Sequence, residues 1–230
     1  MSGGDPAPDG SHGPHVLVDD VDRPELADDD RHHLERVRRV RRGDPITVGD
    51  GAGRWRPCLM DSRPEPAGEV REVTRPTPEL AVGFALIKGG RPELVVQKLT
   101  ELGIDRIVPF TSSRSVVRWE PDRAARNTER LRRVAREAVM QCRRAWLPEV
   151  EPVAAFTELT TRPGVALADL SGDLPSLRTP FVLIGPEGGW APEERALDLP
   201  RVRVSDAVLR AETAAIATGV LLGVRRAQPR

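Results

Sequence analysis

Apolar residues fall into two regimes along the chain. Up to about residue 75 they come in short stretches broken by Gly, Pro and Asp, at 15–18, 46–48, 54–60 and 68–73. Gly43-Asp44-Pro45 and Gly49-Asp50-Gly51 read as turns, the second of them a hairpin turn. Leu34, Val37 and Val40 draw one narrow apolar stripe, which predicts a helix over 28–40 with arginines on its other faces. Short strands with Gly/Pro turns predict a small barrel over 14–75. Residues 1–13 carry no periodicity and are expected to form a disordered tail. Arg75-Pro76-Thr77-Pro78 then reads as a stiff linker.

Beyond the linker the pattern alternates between strand and helix. Residues 81–87 are a buried strand, Lys88-Gly89-Gly90 a loop, and Pro92 opens a helix that Gly103 ends. A strand follows at 104–110. Over 122–144 the residues Leu131, Val134, Ala135, Ala138, Val139 and Cys142 share one helical face. Further strands are expected at 165–170, 181–184 and 202–204, and a last, broadly apolar helix at 211–224. Strands separated by helices predict a parallel α/β sheet over 79–228.

Two strand ends near the C-terminus attract attention. Phe181-Val182-Leu183-Ile184 stops at Gly185-Pro186-Glu187-Gly188-Gly189, and Arg201-Val202-Arg203-Val204 runs into a loop over 205–210. Glycines let main-chain groups approach a flat ligand, and open parallel sheets bind ligands outside their strands' carboxyl ends. One such loop is equally well read as a tight turn. Two of them point to a site.

Composition narrows the possibilities. The chain has 230 residues, 39% hydrophobic and 30% charged, with no apolar run of the ~20 residues that a membrane helix needs. The N-terminus lacks the apolar segment of a secretory signal. Cys58 and Cys142 stand far apart, and the four histidines, His12, His15, His32 and His33, all precede residue 34. The expectation is reduced thiols, a cytoplasmic setting and no metal. Net charge is zero, so global charge does not argue for nucleic acid. Arginines nevertheless concentrate at 31–42 and 123–144, where they serve either as solvated helix faces or as phosphate-pairing forks. Neither a Walker-type phosphate loop nor the G-x-G-x-x-G dinucleotide fingerprint occurs where it would be needed.

The GPEGG run after an apolar strand, followed by Val208-Leu209-Arg210-Ala211-Glu212-Thr213-Ala214 opening the last helix, resembles the ribosomal RNA small subunit methyltransferase E family. The likeness extends upstream through Lys88-Gly89-Gly90, the segment 97–103, Ser113-Arg114-Ser115 and Gln141-Cys142-Arg143-Arg144. It departs at Val204-Ser205-Asp206-Ala207, where the family has a Leu-Gly-Pro-Arg type lead-in, and at Ser113, where the family has Glu.

The resemblance implies a SPOUT-type domain with a C-terminal trefoil knot, preceded by a PUA-like RNA-binding barrel. It implies S-adenosyl-L-methionine as cofactor and N3 of a uridine in 16S rRNA as methyl acceptor, in free rRNA or the assembled small subunit. It further implies a homodimer formed through the C-terminal domain. Cofactor contacts fall on Ile184, Gly185, Glu187, Gly188, Gly189, Val204, Ser205, Val208 and Leu209. Arg210 is the candidate to meet negative charge developing on the uracil. Glu212 is expected either to orient Arg210 or to cap its own helix, and Arg114 to contact substrate or RNA phosphate. Lys88, Arg118, Arg143 and Arg144 complete the expected RNA contacts. Methylation needs in-line placement at ~3–3.5 Å and removal of the imide proton, and no residue type in the chain singles out a general base. Another SPOUT reaction, on tRNA ribose or base, and a non-catalytic ribosome assembly factor remain open alternatives.

Overall fold

The computed structural model describes residues 6–228, which divide into two compact units. One comprises the chain through Pro76 together with Arg136–Leu147. The other comprises Thr77–Ala135 and the chain from Pro148 onward. The units are not contiguous in sequence, because one long helix contributes to both.

In the first unit β1 (His15–Leu17) lies parallel to β2 (Pro45–Gly49), and β2 is antiparallel to β3 (Arg54–Leu59). Two-residue strands β4 (Glu65–Pro66) and β5 (Arg71–Glu72) also pair with β3, so the expected strand at 68–73 shortens to its last part. Val16, Val21, Leu34, Ile46, Val48 and Cys58 form the core. The expected helix over 28–40 is α1 (Asp28–His32), continued by a π-helical turn at His33–Val37. Only Leu34 of its apolar stripe is buried, while Val37 stands exposed. Arg39 takes a left-handed φ of 56°, which a right-handed helix cannot continue through. Of the expected tail, residues 1–5 lie outside the described residues. Residues 6–13 are irregular, and Trp55 Nε1 donates to the Pro6 carbonyl at 3.0 Å.

In the second unit the elements are β6 (Ala81–Ala85), α2 (Arg91–Glu101), β7 (Arg106–Thr111), α3 (Pro121–Cys142), β8 (Glu149–Val150), β9 (Ala154–Ala155), α4 (Phe156–Leu159), β10 (Val165–Asp173), β11 (Phe181–Ile184), α5 (Pro192–Arg195), β12 (Arg201–Val202) and α6 (Ala211–Ala227). The last part of α3 packs in the first unit. The parallel sheet runs β12-β10-β11-β6-β7-β8, with β9 pairing further along β7. Residues of β6 and β11 are buried on both faces, as their continuous apolar character predicts.

Alternation then builds two cores. Val82, Phe84, Val182 and Ile184 pack with Val95 and Leu99 of α2 and Leu222 of α6. Ala81, Ala85, Phe181 and Leu183 pack with Phe110, Phe156 and Trp190 on the opposite face. Fully burying one such side chain contributes about 1.5–3 kcal/mol. At Gly83 a Cβ would fall 2.5 Å from Leu183 Cδ2, so the leucine methyl fills the space that a side chain there would take. Gly103, at φ +86°, ends the α2 turn as expected. The two-residue strands β8 and β9 were too short to show a period. Strand β10 runs past residue 170 to Asp173 with a register shift after Ala168, and β12 is shorter than its predicted span.

β11 comes late in the chain yet lies between β10 and β6. Its carboxyl end therefore opens the glycine loop at the middle of the sheet.

Candidate functional site

The loops that follow β11 and β12 line one cleft of about 370 Å³, closed on a third side by residues 168–170 and by Arg114. The expectation that two separate loops converge is met in this geometry. Ile184, Gly185, Glu187, Gly188, Gly189, Val204, Ser205, Val208 and Leu209 all border it.

The glycine loop is held rigidly. A Cβ on Gly185 would approach the Trp190 ring to 3.0 Å, so the missing side chain is the space into which the indole packs. Trp190 stacks on Phe110 with centroids 6.1 Å apart and planes 5° from parallel, tilts against Phe156 at 5.3 Å, and donates Nε1–H to the Ala168 carbonyl at 2.9 Å. Gly189 takes φ +68°, a conformation that a β-branched residue would hold only under strain. Arg114 donates Nη1–H to the Gly188 carbonyl at 3.0 Å.

Glu194, buried at 4% exposure, joins two segments that lie far apart in the chain. One oxygen accepts the Ala191 N–H and the other the Ser113 N–H, both at 2.8 Å. The first contact caps α5. The second fixes the segment that carries Arg114. Sequence placed Glu194 only beside a helix dipole, and a long-range partner leaves no local pattern. Asp169, on the cleft wall, is pushed up by burial but ends below the usual carboxylate range, because the Ser171 N–H and hydroxyl and the Arg195 guanidinium bind it.

The second loop is more open. Arg203 pairs with Asp206 at 2.5 Å and Ser205 Oγ accepts the Ala207 N–H at 3.1 Å, while Val208 is 85% exposed. Arg210 stands exposed at the head of α6 and does not line the cleft. Glu212 lies in the first turn of α6, at the positive end of the helix dipole. Its partner is Arg91, whose Nε lies 3.5 Å away and whose Nη1 lies 3.8 Å from Glu187. The other carboxylate oxygen of Glu212 is buried with no hydrogen-bond partner. Arg91 was not read from the sequence, because its α2 position looks like an ordinary first-turn surface residue.

Part of each arginine cluster is structural. In the first unit Arg31 donates to the carbonyls of Asp61 and Ser62, Arg42 pairs with Asp61, and Arg136 grips Asp30 through both nitrogens at 2.9 and 2.7 Å. Arg143, expected to contact RNA, bonds inward to the Gly13 carbonyl, and Arg144 is half-buried. Lys88, Arg114 and Arg118 remain at the surface of the second unit. Among the described residues there is no cluster of metal-ligating side chains, and no helix is long and apolar enough to cross a membrane.

Residues 74–222 match the RNA methyltransferase domain family. The chain is 31% identical over 220 residues to ribosomal RNA small subunit methyltransferase E of Mycobacterium tuberculosis, covering 85% of this chain and 84% of that one. The chain belongs to this methyltransferase family. The Bacillus subtilis protein of the same name is 29% identical, covering 80% of this chain and 82% of that one. Among solved structures, ribosomal RNA small subunit methyltransferase E from Neisseria gonorrhoeae, bound to S-adenosyl methionine, superposes with a TM-score of 0.73 at 26% identity, covering 91% of this chain and 96% of that one.

Proposed function

We propose that the chain transfers a methyl group from S-adenosyl-L-methionine to N3 of a uridine in 16S rRNA. The observation that carries this is the convergence of the two C-terminal loops on one cleft in a member of this family. The cleft suits the cofactor: its volume lies within the ~300–1,000 Å³ of small-molecule sites, glycines expose main-chain groups along one wall, and Ile184, Val208 and Leu209 offer apolar surface for a flat ring. When bound there, the cofactor supplies an electrophilic methyl group on sulfonium.

The chain's own residues place and tune the acceptor. Arg114, fixed at the Gly188 carbonyl, stands at the cleft mouth for the RNA backbone. Arg210, exposed beside the second loop, meets the negative charge that develops on the uracil ring as its imide proton leaves. Arg91 holds Glu187 and Glu212 together, tying the glycine loop to the first turn of α6. Arg210→Ala is expected to slow single-turnover methylation up to about 10²-fold, less than the loss of a donor fixed in a buried site costs.

The same reading divides the chain into a PUA-like RNA-binding barrel at 14–75 and a SPOUT domain at 79–228 with a C-terminal trefoil knot. The insertion of β11 between β10 and β6 is consistent with a late segment threaded into an earlier sheet. A homodimer in the cytoplasm completes it, and the exposed Val220 and Val224 of α6 supply apolar surface for a second copy. Nucleoside mass mapping of rRNA and tRNA from cells with and without the protein tests the reaction. Loss of N3-methyluridine from 16S rRNA alone is expected. An unchanged 16S rRNA with a missing tRNA ribose or base methyl group would overturn it.

A further inference from the structure

A second cavity, of about 350 Å³, lies in the same unit between the loop after β6, the first turn of α2 and the segment 117–131. Its lining combines an aromatic ring with cationic and amide side chains. Trp119 packs one part of its ring on the core and borders the cavity with the remainder. The side chains of Lys88, Arg123 and Asn127 line it without an ion pair or hydrogen bond to any other described residue. Arg130 pairs with Glu93, and the second oxygen of that carboxylate is buried with no hydrogen-bond partner. Unpartnered arginines occur elsewhere on the surface, but here unengaged groups gather around one aromatic ring at a cavity.

We infer that this cavity is a nucleotide subsite for single-stranded RNA. An unstacked base lies on Trp119, its flanking phosphates meet Lys88 and Arg123, and the free Glu93 oxygen accepts an imino or amino hydrogen from the base edge. Bases taken out of a stack are held this way, by an aromatic face and a positive groove. A carboxylate that accepts but cannot donate favours a base edge bearing a hydrogen over a bare carbonyl or ring nitrogen. The cavity adjoins the cleft: Pro92 and Glu93 line the former, while the preceding Arg91 reaches Glu187 of the latter. A base held here would thus fix the strand beside the methyl-donor cleft. This inference rests on the RNA-methylating reading for its ligand, but on its own residues for its position.

The test titrates the full chain with a labelled five-nucleotide oligouridine, and with an abasic phosphodiester of equal length, by fluorescence anisotropy. Calorimetry with S-adenosylmethionine runs in parallel. Wild type should prefer the oligouridine over the abasic chain. Trp119→Ala should weaken oligouridine binding roughly 5- to 150-fold, the range for loss of one stacked base, and Trp119→Phe should restore most of it. Lys88→Ala with Arg123→Ala should reduce the salt slope by about 2, and these exposed positions keep the test valid even if Trp119→Ala impairs folding. Cofactor heats should stay unchanged in all variants. Equal affinity for the abasic chain, or unaltered binding in both sets of variants, would overturn the subsite and leave the methyl-donor cleft standing. Absent cofactor heat in wild type, with the RNA effects intact, would remove the methyltransferase reading and leave the subsite.

Discussion

The two units differ in what their polar side chains surround. In the first, several arginines close inward: Arg136 binds Asp30 and the Leu17 carbonyl, Arg143 binds the Gly13 carbonyl, and Arg56 binds the Gly68 carbonyl. In the second, the glycine loop is equally well anchored, yet the loop at 204–209 and the cavity beside α2 leave side chains unmatched. Partnered arginines stabilise a fold and are poor evidence for a ligand. Unmatched ones that line a cavity stay available to a ligand.

The largest expected effect falls on that rigid wall. Trp190→Ala should cost about 3–5 kcal/mol by emptying the space between Phe110, Phe156 and Gly185, measured by denaturant unfolding. A cost below about 1 kcal/mol would mean the wall is not built on that stack. Next comes the first unit's response to acid. Burial, with Arg143 nearby, lowers the pKa of His15 from 6.5 to about 4, while Nδ1 lies 2.9 Å from Thr47 Oγ1. Between those values the unfolded chain binds a proton that the folded chain refuses. Stability present above pH 6.5 is therefore lost as pH falls toward 4, by up to about 3 kcal/mol. Amide exchange in β1 and β2 should accelerate over that window, and His15→Gln should flatten the response. A flat wild-type profile would contradict the assignment. The smallest effect belongs to the open loop: Ser205→Ala should change stability by less than about 0.5 kcal/mol, because its hydroxyl accepts only a local N–H.

How much of this could be read beforehand follows the range of each interaction. The alternation of apolar runs and helices was visible because it repeats within a few residues, and GPEGG with the following Pro192 marked a strand-to-helix loop for the same reason. Convergence of the 185–189 and 205–210 loops followed from the strand-end rule, although Arg210 stands outside the cleft. Glu194 bonding Ser113, Arg91 bonding Glu212, and Arg143 turning inward escaped notice because each partner lies dozens of residues away. The π-helical turn at His33–Val37 escaped because its stripe mimics an ordinary helix until Arg39 breaks it. Trp119 escaped too: without its neighbours in space, an isolated indole after Val116-Val117-Arg118 reads as core.

The account stands on two loops forming one receptacle. Amide hydrogen exchange of the full chain, with and without S-adenosylmethionine, reads both loops at once. The prediction is slowed exchange at 185–189 and at 204–209 together, over the same concentration range and with the first unit unaffected. Slowing in only one loop, or in neither, would contradict it.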